Sequence, residues 1–261
     1  MSQYSLNHKT AIVTGASRKI GIGAAIAREL ARAGASVFTT FYRPYDSAMF
    51  QGSNTGEAEA LIAELRAMGV EAEGLELDLG DPDTPGRLFD QVERSLGPVD
   101  ILVNNATHSE RDGIDALEAA LLDRHYAVNI RGMALLCAEF VRRYAKNQGQ
   151  RPGGRIINLS SGQGVGPMPG ELAYAATKGA VEAFSVSLSA ELAPRAITVN
   201  AIDPGVTDTG WMSPDFKARL EAEAPMGRVG RPEDAARLVC FLATDEAGWI
   251  TGQVIHSRGG L

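Results

Sequence analysis

Short apolar runs alternate with longer helix-like segments along the whole chain. The clearest runs are Thr10–Thr14, Ser36–Tyr42 and Ile197–Ile202, which have the length and the β-forming residues of buried strands. Between the first two lies a small-residue segment, 21–31, that Gly34 closes as a helix. Strands that alternate with helices join by right-handed crossovers into a parallel sheet covered on both faces. We therefore expect an α/β fold: a single Rossmann domain whose doubly wound, mostly parallel, seven-stranded sheet carries helices on both faces.

The remaining elements follow the same alternation. We predict further strands at 75–79, 100–106, 155–161 and 253–256, and further helices at 54–68, 82–96, 172–193, 211–223 and 232–243. The segment 117–146 is predicted as one long helix, or as two with a break near Gly132. Because no linker or repeat interrupts this pattern, one domain is expected over 1–261, with a cofactor-binding half at about 9–150 and a catalytic and substrate half at about 151–261.

Charge and composition exclude several classes of function. A net charge of -7 argues against nucleic acid and anionic membranes as partners. No apolar run is long enough to span a bilayer and the first nine residues carry no apolar targeting segment, so a cytoplasmic protein is expected. Cys137 and Cys240 lie in apolar helical stretches, as buried, reduced cysteines do. Neither they nor the four histidines have the spacing of metal ligands, and no metal site is expected.

The stretch from Ser160 to Lys178 carries the strongest chemical signal. A hydroxyl pair, Ser160 and Ser161, ends an apolar run, and a Gly/Pro-rich loop leads into a helix that begins with Tyr174 and Lys178. Residues four apart share one helical face. A nearby cation favours the phenolate and lowers the pKa of a tyrosine, which suits Tyr174 to exchange a proton. The alternative is an exposed Tyr and Lys with no chemical role.

The loop after the first strand, Thr14 to Gly23, is rich in glycine. Its place before a small-residue helix favours dinucleotide binding, because glycines let the backbone approach a pyrophosphate at a helix N-terminus. No acidic residue directly follows the second strand, where an enzyme that prefers NAD usually has one. Arg18 and Lys19 instead lie in the glycine loop, and Arg43 lies just past the end of the second strand. Three cations suit a 2′-phosphate, which favours NADP(H) over NAD(H). The alternative is that they are solvated loop cations.

Taken together, these motifs resemble the short-chain dehydrogenase/reductase family in its compact form. The matching pieces lie in order at the strand ends of an alternating fold: the glycine loop, Asp78, Asn104–Ala106, Asn129, Ser161, Tyr174–Lys178 and Pro204–Gly205. Two departures stand out. The glycine loop has five residues between Gly15 and Gly21 where the family usually has three, and Thr107 stands where a glycine usually follows Asn104–Ala106.

The resemblance implies a role for each matching residue. Tyr174 is the expected acid/base and Lys178 the group that also holds the nicotinamide ribose, while Asn129 binds a water of a proton relay. The family's spacing selects Ser161 over Ser160 as the hydroxyl that binds the substrate oxygen. The expected cofactor contacts are Gly15, Ser17, Arg18, Lys19, Gly21, Ile22, Arg43, Asp78, Leu79, Asn105, Ala106, Tyr174, Lys178, Pro204, Gly205, Val206 and Thr209.

The implied activity is reversible hydride transfer between NADP(H) and a carbonyl or secondary alcohol. The general look is nearest to 3-oxoacyl-carrier-protein reductases, so a 3-oxoacyl thioester is a candidate substrate and acyl carrier protein a candidate partner. Alternatives are an NAD-dependent alcohol dehydrogenase, a sugar-nucleotide epimerase and a non-catalytic dinucleotide sensor. Substrate selection is expected at 107–114, 162–171 and 208–225. Family members are commonly tetramers, and the apolar end 249–261 fits a homotetramer.

Overall fold

Seven parallel strands form the centre of the molecule. The computed structural model describes residues 4–49, 56–146 and 153–260. The strands lie in the order β3-β2-β1-β4-β5-β6-β7, and all six pairings are parallel. Their bounds are β1 Thr10–Val13, β2 Ser36–Phe41, β3 Ala72–Glu76, β4 Ile101–Asn104, β5 Gly154–Leu159, β6 Ile197–Asp203 and β7 Val254–His256. The order reverses direction at β1, between β2 and β4, where open sheets of this kind bind their ligands.

Helices cover both faces of the sheet, which confirms the predicted architecture. They are α1 Ile22–Arg32, α2 Arg43–Met49, α3 Glu57–Ala67, α4 Thr84–Ser95, α5 Ala119–Tyr126, α6 Met133–Lys146, α7 Leu172–Leu192, α8 Pro214–Glu223 and α9 Pro232–Ala243. None of the helices within the described ranges combines the length and the apolar character needed to cross a membrane.

Strand alternation divides the core in two. Ala11 and Val13 of β1 face one cluster, which packs under α1, α3 and α9, whereas Ile12 faces the other, under α4, α6 and α7. Side chains of a strand alternate between faces, so a central strand buried on both sides must be apolar throughout. The four residues of β1 are all buried, as this requires.

The third strand begins three residues before its predicted start. The alternating leucines of 75–79 suggested the strand, but β2 pairs with the preceding residues, from Ala72 to Glu76. Asp78 lies beyond the strand, because its Oδ1 accepts a hydrogen bond from the backbone N–H of Gly80, 2.7 Å away, and closes a turn. The prediction of a strand through residue 79 was therefore wrong, and Asp78 belongs to the loop at the edge of the sheet.

Two helical features differ from expectation. The short helix α2 follows β2 directly and was not predicted. The segment predicted as 117–146 is α5 and α6 joined through a π-helical turn, Ala127–Gly132. The predicted break near Gly132 is thus a local widening, in which Gly132 packs against the carbonyl of Leu79. Such turns occur often at functional sites, and this one contains Asn129.

Candidate active site

A groove of about 810 Å³ runs across the carboxyl ends of β1, β2 and β4. Among the residues predicted to bind cofactor, it is lined by Gly15, Ser17, Arg18, Gly21, Ile22, Asp78, Leu79, Asn105, Ala106 and Thr209. The motifs after β1, β3 and β4 therefore converge on one concave surface. The groove has the volume typical of a small-molecule or cofactor site.

The floor of the groove is a tight junction between the loops after β1 and β4. Thr14 accepts hydrogen bonds at Oγ1 from the backbone N–H groups of Asn105 and Ala106, at 3.0 and 3.1 Å. The amide of Asn105 donates in return to the carbonyls of Thr14 and Gly15. Gly15 has φ of 71°, and a Cβ there would lie 2.6 Å from the Cα of Ala106. Only glycine permits both this conformation and this approach.

The N-terminus of α1 is built to receive an anion. Its N-cap is Gly21, which has no side chain to cap the first N–H groups, and its first turn holds no acidic residue. The first N–H groups of a helix carry partial positive charge and need an acceptor. Because this end borders the groove, the residues present fit the pyrophosphate of a dinucleotide.

The three cations that favoured NADP occupy different places. Arg18 lines the groove, where its guanidinium donates to the carbonyl of Thr209. Arg43 forms ion pairs with Glu59 and Glu76, so two carboxylates compensate its charge. Lys19 lies outside the groove-lining set among the described residues, and its backbone N–H donates to Glu57. Of the three cations, Arg18 is the one that lines the groove within the described residues, so it is the candidate ligand of a 2′-phosphate.

Helix α2 forms a wall of the groove that the sequence did not reveal. The hydroxyl of Tyr45 accepts a hydrogen bond from the N–H of Ser109 at 3.0 Å and donates to its carbonyl at 3.2 Å. This pair of contacts joins α2 to the loop after β4. Asp46 is buried beside Tyr45 and hydrogen-bonds Ser17, and burial raises the pKa of its carboxyl. Tyr42, Pro44 and Met49 complete this wall.

Ser161, Tyr174 and Lys178 meet at the end of β5. The hydroxyl of Ser161 lies close enough to the phenol of Tyr174 to favour its ionised form. The ammonium of Lys178 lies 5.5 Å from the centroid of the Tyr174 ring and donates to the carbonyl of Leu159 at 2.7 Å. Lys178 is 4% exposed. The serine from the strand end and the two residues from α7 therefore form one cluster.

The electrostatics of this cluster differ from the sequence expectation. Burial raises the pKa of Tyr174 to about 12, against the opposing effect of the Ser161 hydroxyl. Burial also lowers the pKa of Lys178 to about 8, since a charged ammonium is poorly solvated there. Lys178 was expected to lower the pKa of the phenol. Burial of the phenol is instead the largest effect on its pKa.

Ser160 and Ser161 point to different surroundings, as alternation along an extended chain requires. The Oγ of Ser160 donates to a carboxylate oxygen of Glu182 at 2.6 Å and is buried. Ser161, by contrast, contacts Tyr174. The geometry therefore agrees with the choice of Ser161 as the candidate substrate-binding hydroxyl.

Asn129 connects the loop after β4 to the helix that carries Tyr174. Its Oδ1 accepts from the backbone N–H of His108 at 2.7 Å, and its Nδ2 donates to the carbonyl of His108 and to the hydroxyl of Thr177, both at 2.9 Å. The side chain is buried. These contacts give Asn129 a positioning role, while a part in a proton relay stays a prediction.

A second connection between the same two segments comes from Asp112. Its carboxylate accepts hydrogen bonds from the backbone N–H groups of Leu172 and Ala173, at 2.6 and 2.7 Å. The N-cap residue of α7, Glu171, supplies no side-chain cap. A carboxylate 60 residues away thus caps the helix that begins two residues before Tyr174.

Comparison with known proteins fits this geometry. Residues 15–261 match the family model described as enoyl-(acyl carrier protein) reductase. The chain is 49% identical to an uncharacterized oxidoreductase of Bacillus subtilis over 252 residues, covering 97% of this chain and 96% of that protein. It is 36% identical to the 3-oxoacyl-[acyl-carrier-protein] reductase of Aquifex aeolicus over 265 residues, covering 99% of each.

Solved structures with the same fold are also oxidoreductases. A short-chain dehydrogenase of Burkholderia cenocepacia in complex with NADP is 32% identical, with a TM-score of 0.85 and 98% of each chain covered. A promiscuous reductase that catalyses keto-reduction at C1 during lugdunomycin biosynthesis is 37% identical, with a TM-score of 0.85 and the same coverage. The chain belongs to the short-chain dehydrogenase/reductase family. It is an oxidoreductase that binds a nicotinamide cofactor.

The turn after β6 completes the site of this dehydrogenase/reductase. Gly205 has φ of 68°, and the hydroxyl of Thr207 donates to the carbonyl of Pro204 at 2.8 Å. Pro204, Gly205 and Val206 thus form a constrained turn at the carboxyl end of β6, beside the end of β5. The family resemblance implies that this turn holds the nicotinamide carboxamide of the cofactor, and that contact stays a prediction.

An acidic carrier would need basic residues near the mouth of the site, for which the candidates are Arg111, Arg124, Arg131, Arg142 and Arg143. Of these, Arg124, Arg142 and Arg143 form ion pairs within the chain. Arg143 contacts Asp90, Glu93 and Glu139. Arg142 also contacts Glu139, and Arg124 contacts Glu110. Arg124 borders the groove, so it is the member of this set placed nearest the cofactor site.

Several residues of the site lacked a readable signal in the sequence. Tyr45 and Asp46 lie on a helix of seven residues, too short for a helical period to show. Pro44 and Asp46 in its first turn are typical helix-start residues and could have indicated it. His108 also lines the groove, where burial lowers the pKa of its imidazole.

Proposed function

We propose that this enzyme transfers hydride reversibly between NADP(H) and a carbonyl or secondary alcohol substrate. The observation that carries the proposal is the cluster of Ser161, Tyr174 and Lys178 at the end of β5, beside a groove that fits a dinucleotide. Bound cofactor would supply or accept the hydride. The side chains of the cluster bind and orient the substrate oxygen and handle its proton.

Tyr174 is the proposed acid in the direction of reduction. With a pKa of about 12 its phenol is protonated at neutral pH. That is the state needed to donate a proton to a carbonyl oxygen. Ser161, whose hydroxyl lies beside the phenol, can donate to the same oxygen and stabilise the negative charge that develops on it.

Lys178 is proposed to orient the cofactor ribose and to influence Tyr174. Its ammonium has three donors, and one of them goes to the carbonyl of Leu159. That contact fixes the side chain between β5 and α7. Asn129 and Asp112 hold α7 against the loop after β4, so the position of Tyr174 depends on both.

NADP(H) is the proposed cofactor because Arg18 lines the groove and no acid follows β2 directly. The similar dehydrogenase of Burkholderia cenocepacia was solved with NADP. A 3-oxoacyl thioester is the proposed substrate class, with acyl carrier protein as its carrier, because the Aquifex aeolicus relative is a 3-oxoacyl-[acyl-carrier-protein] reductase. NAD-dependent alcohol oxidation is the alternative that the kinetics must exclude.

A homotetramer in the cytoplasm completes the proposal. Trp249 is 98% exposed and lies just before β7, which ends the sheet among the described strands. An exposed indole at a sheet edge suits burial against a second copy. Light scattering should give the mass of four chains, and an active monomer would contradict this part.

A substrate panel tests the activity. Purified protein would be incubated with NADPH or NADH and with 3-oxoacyl thioesters, simple ketones or an enoyl thioester, and nicotinamide absorbance followed. We expect NADPH-dependent turnover of 3-oxoacyl thioesters and ketones. Turnover of the enoyl thioester alone would reject carbonyl chemistry. Tight cofactor binding without any turnover would favour a non-catalytic sensor.

A further inference from the structure

A buried carboxylate lies directly behind the proposed active site. Asp203, the last residue of β6, is 1% exposed. Its Oδ1 accepts from the backbone N–H of Gly205 at 2.9 Å, and its Oδ2 contacts Nη1 of Arg258 and Nδ1 of His256, each at 3.0 Å. A carboxylate buried this deeply requires compensating partners. The C-terminal tail supplies two of them.

The tail residue Arg258 touches both turns that frame the site. A Cβ added to Gly162 would collide with the guanidinium of Arg258, so the turn after Ser161 rests on that group. A Cβ added to Gly205 would lie 2.9 Å from the Cα of Arg258 and from the carbonyl of Ser257. The same side chain and its backbone thus support the serine turn after β5 and the turn after β6.

The rest of the tail reaches a third segment of the site. A Cβ on Gly260 would lie 3.3 Å from Pro225, and one on Gly259 would lie 3.5 Å from Met226. Pro225 is the last residue of the segment 208–225 that is expected to select substrate, and Met226 follows it directly. The backbone N–H of Ser257 donates to the carbonyl of Asp203 at 2.8 Å, which anchors the start of the tail.

We propose that Arg258, held by Asp203, is a positioning residue that sets the distance between the Ser161 turn and the Pro204–Gly205 turn. This inference rests on the proposed function, because those turns carry the substrate oxygen and the nicotinamide. The guanidinium is rigid and planar, so it can hold a carboxylate and support a backbone turn at the same time. A displacement of about 1 Å between reacting groups costs roughly 100-fold in rate. In this proposal Arg258 acts through the two turns, which it contacts at Gly162 and Gly205.

The test compares Arg258→Ala with Arg94→Ala, which removes an exposed arginine on α4 that contacts Gln91. Turnover would be measured with NADPH and the best substrate of the panel, together with thermal unfolding and cofactor binding. We expect Arg258→Ala to lower kcat roughly 10- to 100-fold, with a smaller change in the KM for NADPH. The control should keep wild-type kcat.

Chemical rescue separates positioning from a general loss of structure. Guanidinium chloride at low millimolar concentration, far below the molar range that unfolds proteins, should restore part of the kcat of Arg258→Ala by occupying the vacated space. The kcat of Arg258→Lys, which keeps the charge without the planar fork, should lie between the kcat of the wild type and that of Arg258→Ala. The same salt should leave Arg94→Ala unchanged.

Three results distinguish failure of this inference from failure of the proposed function. Wild-type kcat in Arg258→Ala would overturn the inference and leave the proposed function standing. A loss of kcat that only follows the folded fraction, with no rescue by guanidinium, would also overturn it. An inactive wild-type protein across the panel would instead reject the proposed function.

Discussion

Replacing Lys178 with methionine should stabilise the fold at neutral pH while removing catalysis. Lys178 is 4% exposed, and burial lowers the pKa of its ammonium from 10.5 to about 8. At about 1.4 kcal/mol for each tenfold change in proton affinity, this corresponds to about 3 kcal/mol of unfavourable burial of the charge. Methionine fills similar space without a charge, so Lys178→Met should have the higher free energy of unfolding at pH 7.

The pH dependence of that difference is the sharper expectation. Below pH 8 Lys178 is protonated in both the folded and the unfolded protein, so burial of its charge destabilises the fold by the full amount. Between pH 8 and 10.5 the unfolded chain binds more protons than the folded one, so the stability of the wild type rises with pH relative to Lys178→Met. The gap between the two proteins should narrow by roughly 2 kcal/mol from pH 7 to pH 9.5.

Urea denaturation of both proteins at the two pH values measures this gap, because groups common to both cancel in the comparison. Lys217→Met, which removes an exposed lysine paired with Asp208, is the matched control and should show no such narrowing. A gap that does not change with pH, or a Lys178→Met protein less stable than wild type at pH 7, would refute the reasoning. Confirmation would show that the lysine is kept for function at a cost in stability.

Three further substitutions test individual contacts. Asp112→Ala removes the cap of α7, so the free energy of unfolding should fall by about 1 kcal/mol and kcat should fall with it. Asp115→Ala, in the same loop and exposed, is the control, and denaturation and kinetic assays should show neither quantity changed. Tyr45→Phe removes both contacts with Ser109 and should speed NADPH release several-fold in stopped-flow measurements; unchanged release would show that α2 does not retain cofactor. Arg18→Ala should reduce the kcat/KM ratio of NADPH to NADH about tenfold, and an unaltered ratio would place the 2′-phosphate elsewhere.

The fold was predictable because it rests on local patterns that every element repeats. A buried central strand such as β1 must be apolar on both faces, and the glycines and strand ends mark the turns. The start of β3 at Ala72 was not predictable from such a pattern. Its residues Ala72 to Gly74 have little β propensity, and pairing with β2 drew them into the sheet.

The residues of the site were also predictable only where a local sequence pattern marked them. Ser161, Tyr174 and Lys178 could be found because they lie close together in the chain at a fixed spacing. Asp112 and Arg258 could not, since Asp112 caps a helix 60 residues away in sequence and Arg258 pairs with Asp203, 55 residues away. Arg43 looked like a cofactor ligand in the sequence, but Glu59 and Glu76 approach it only after folding. Long-range partners of charged side chains are set by tertiary structure, and sequence spacing does not reveal them.

The turnover of Tyr174→Phe is the most direct test of proton donation by the phenol. The substitution removes only the hydroxyl that contacts Ser161, so NADPH binding, followed by fluorescence titration, should stay near the wild-type value. We expect kcat for reduction of a 3-oxoacyl thioester or ketone to fall at least about 100-fold. A Tyr174→Phe protein that reduces the same substrate at close to the wild-type rate would contradict this expectation.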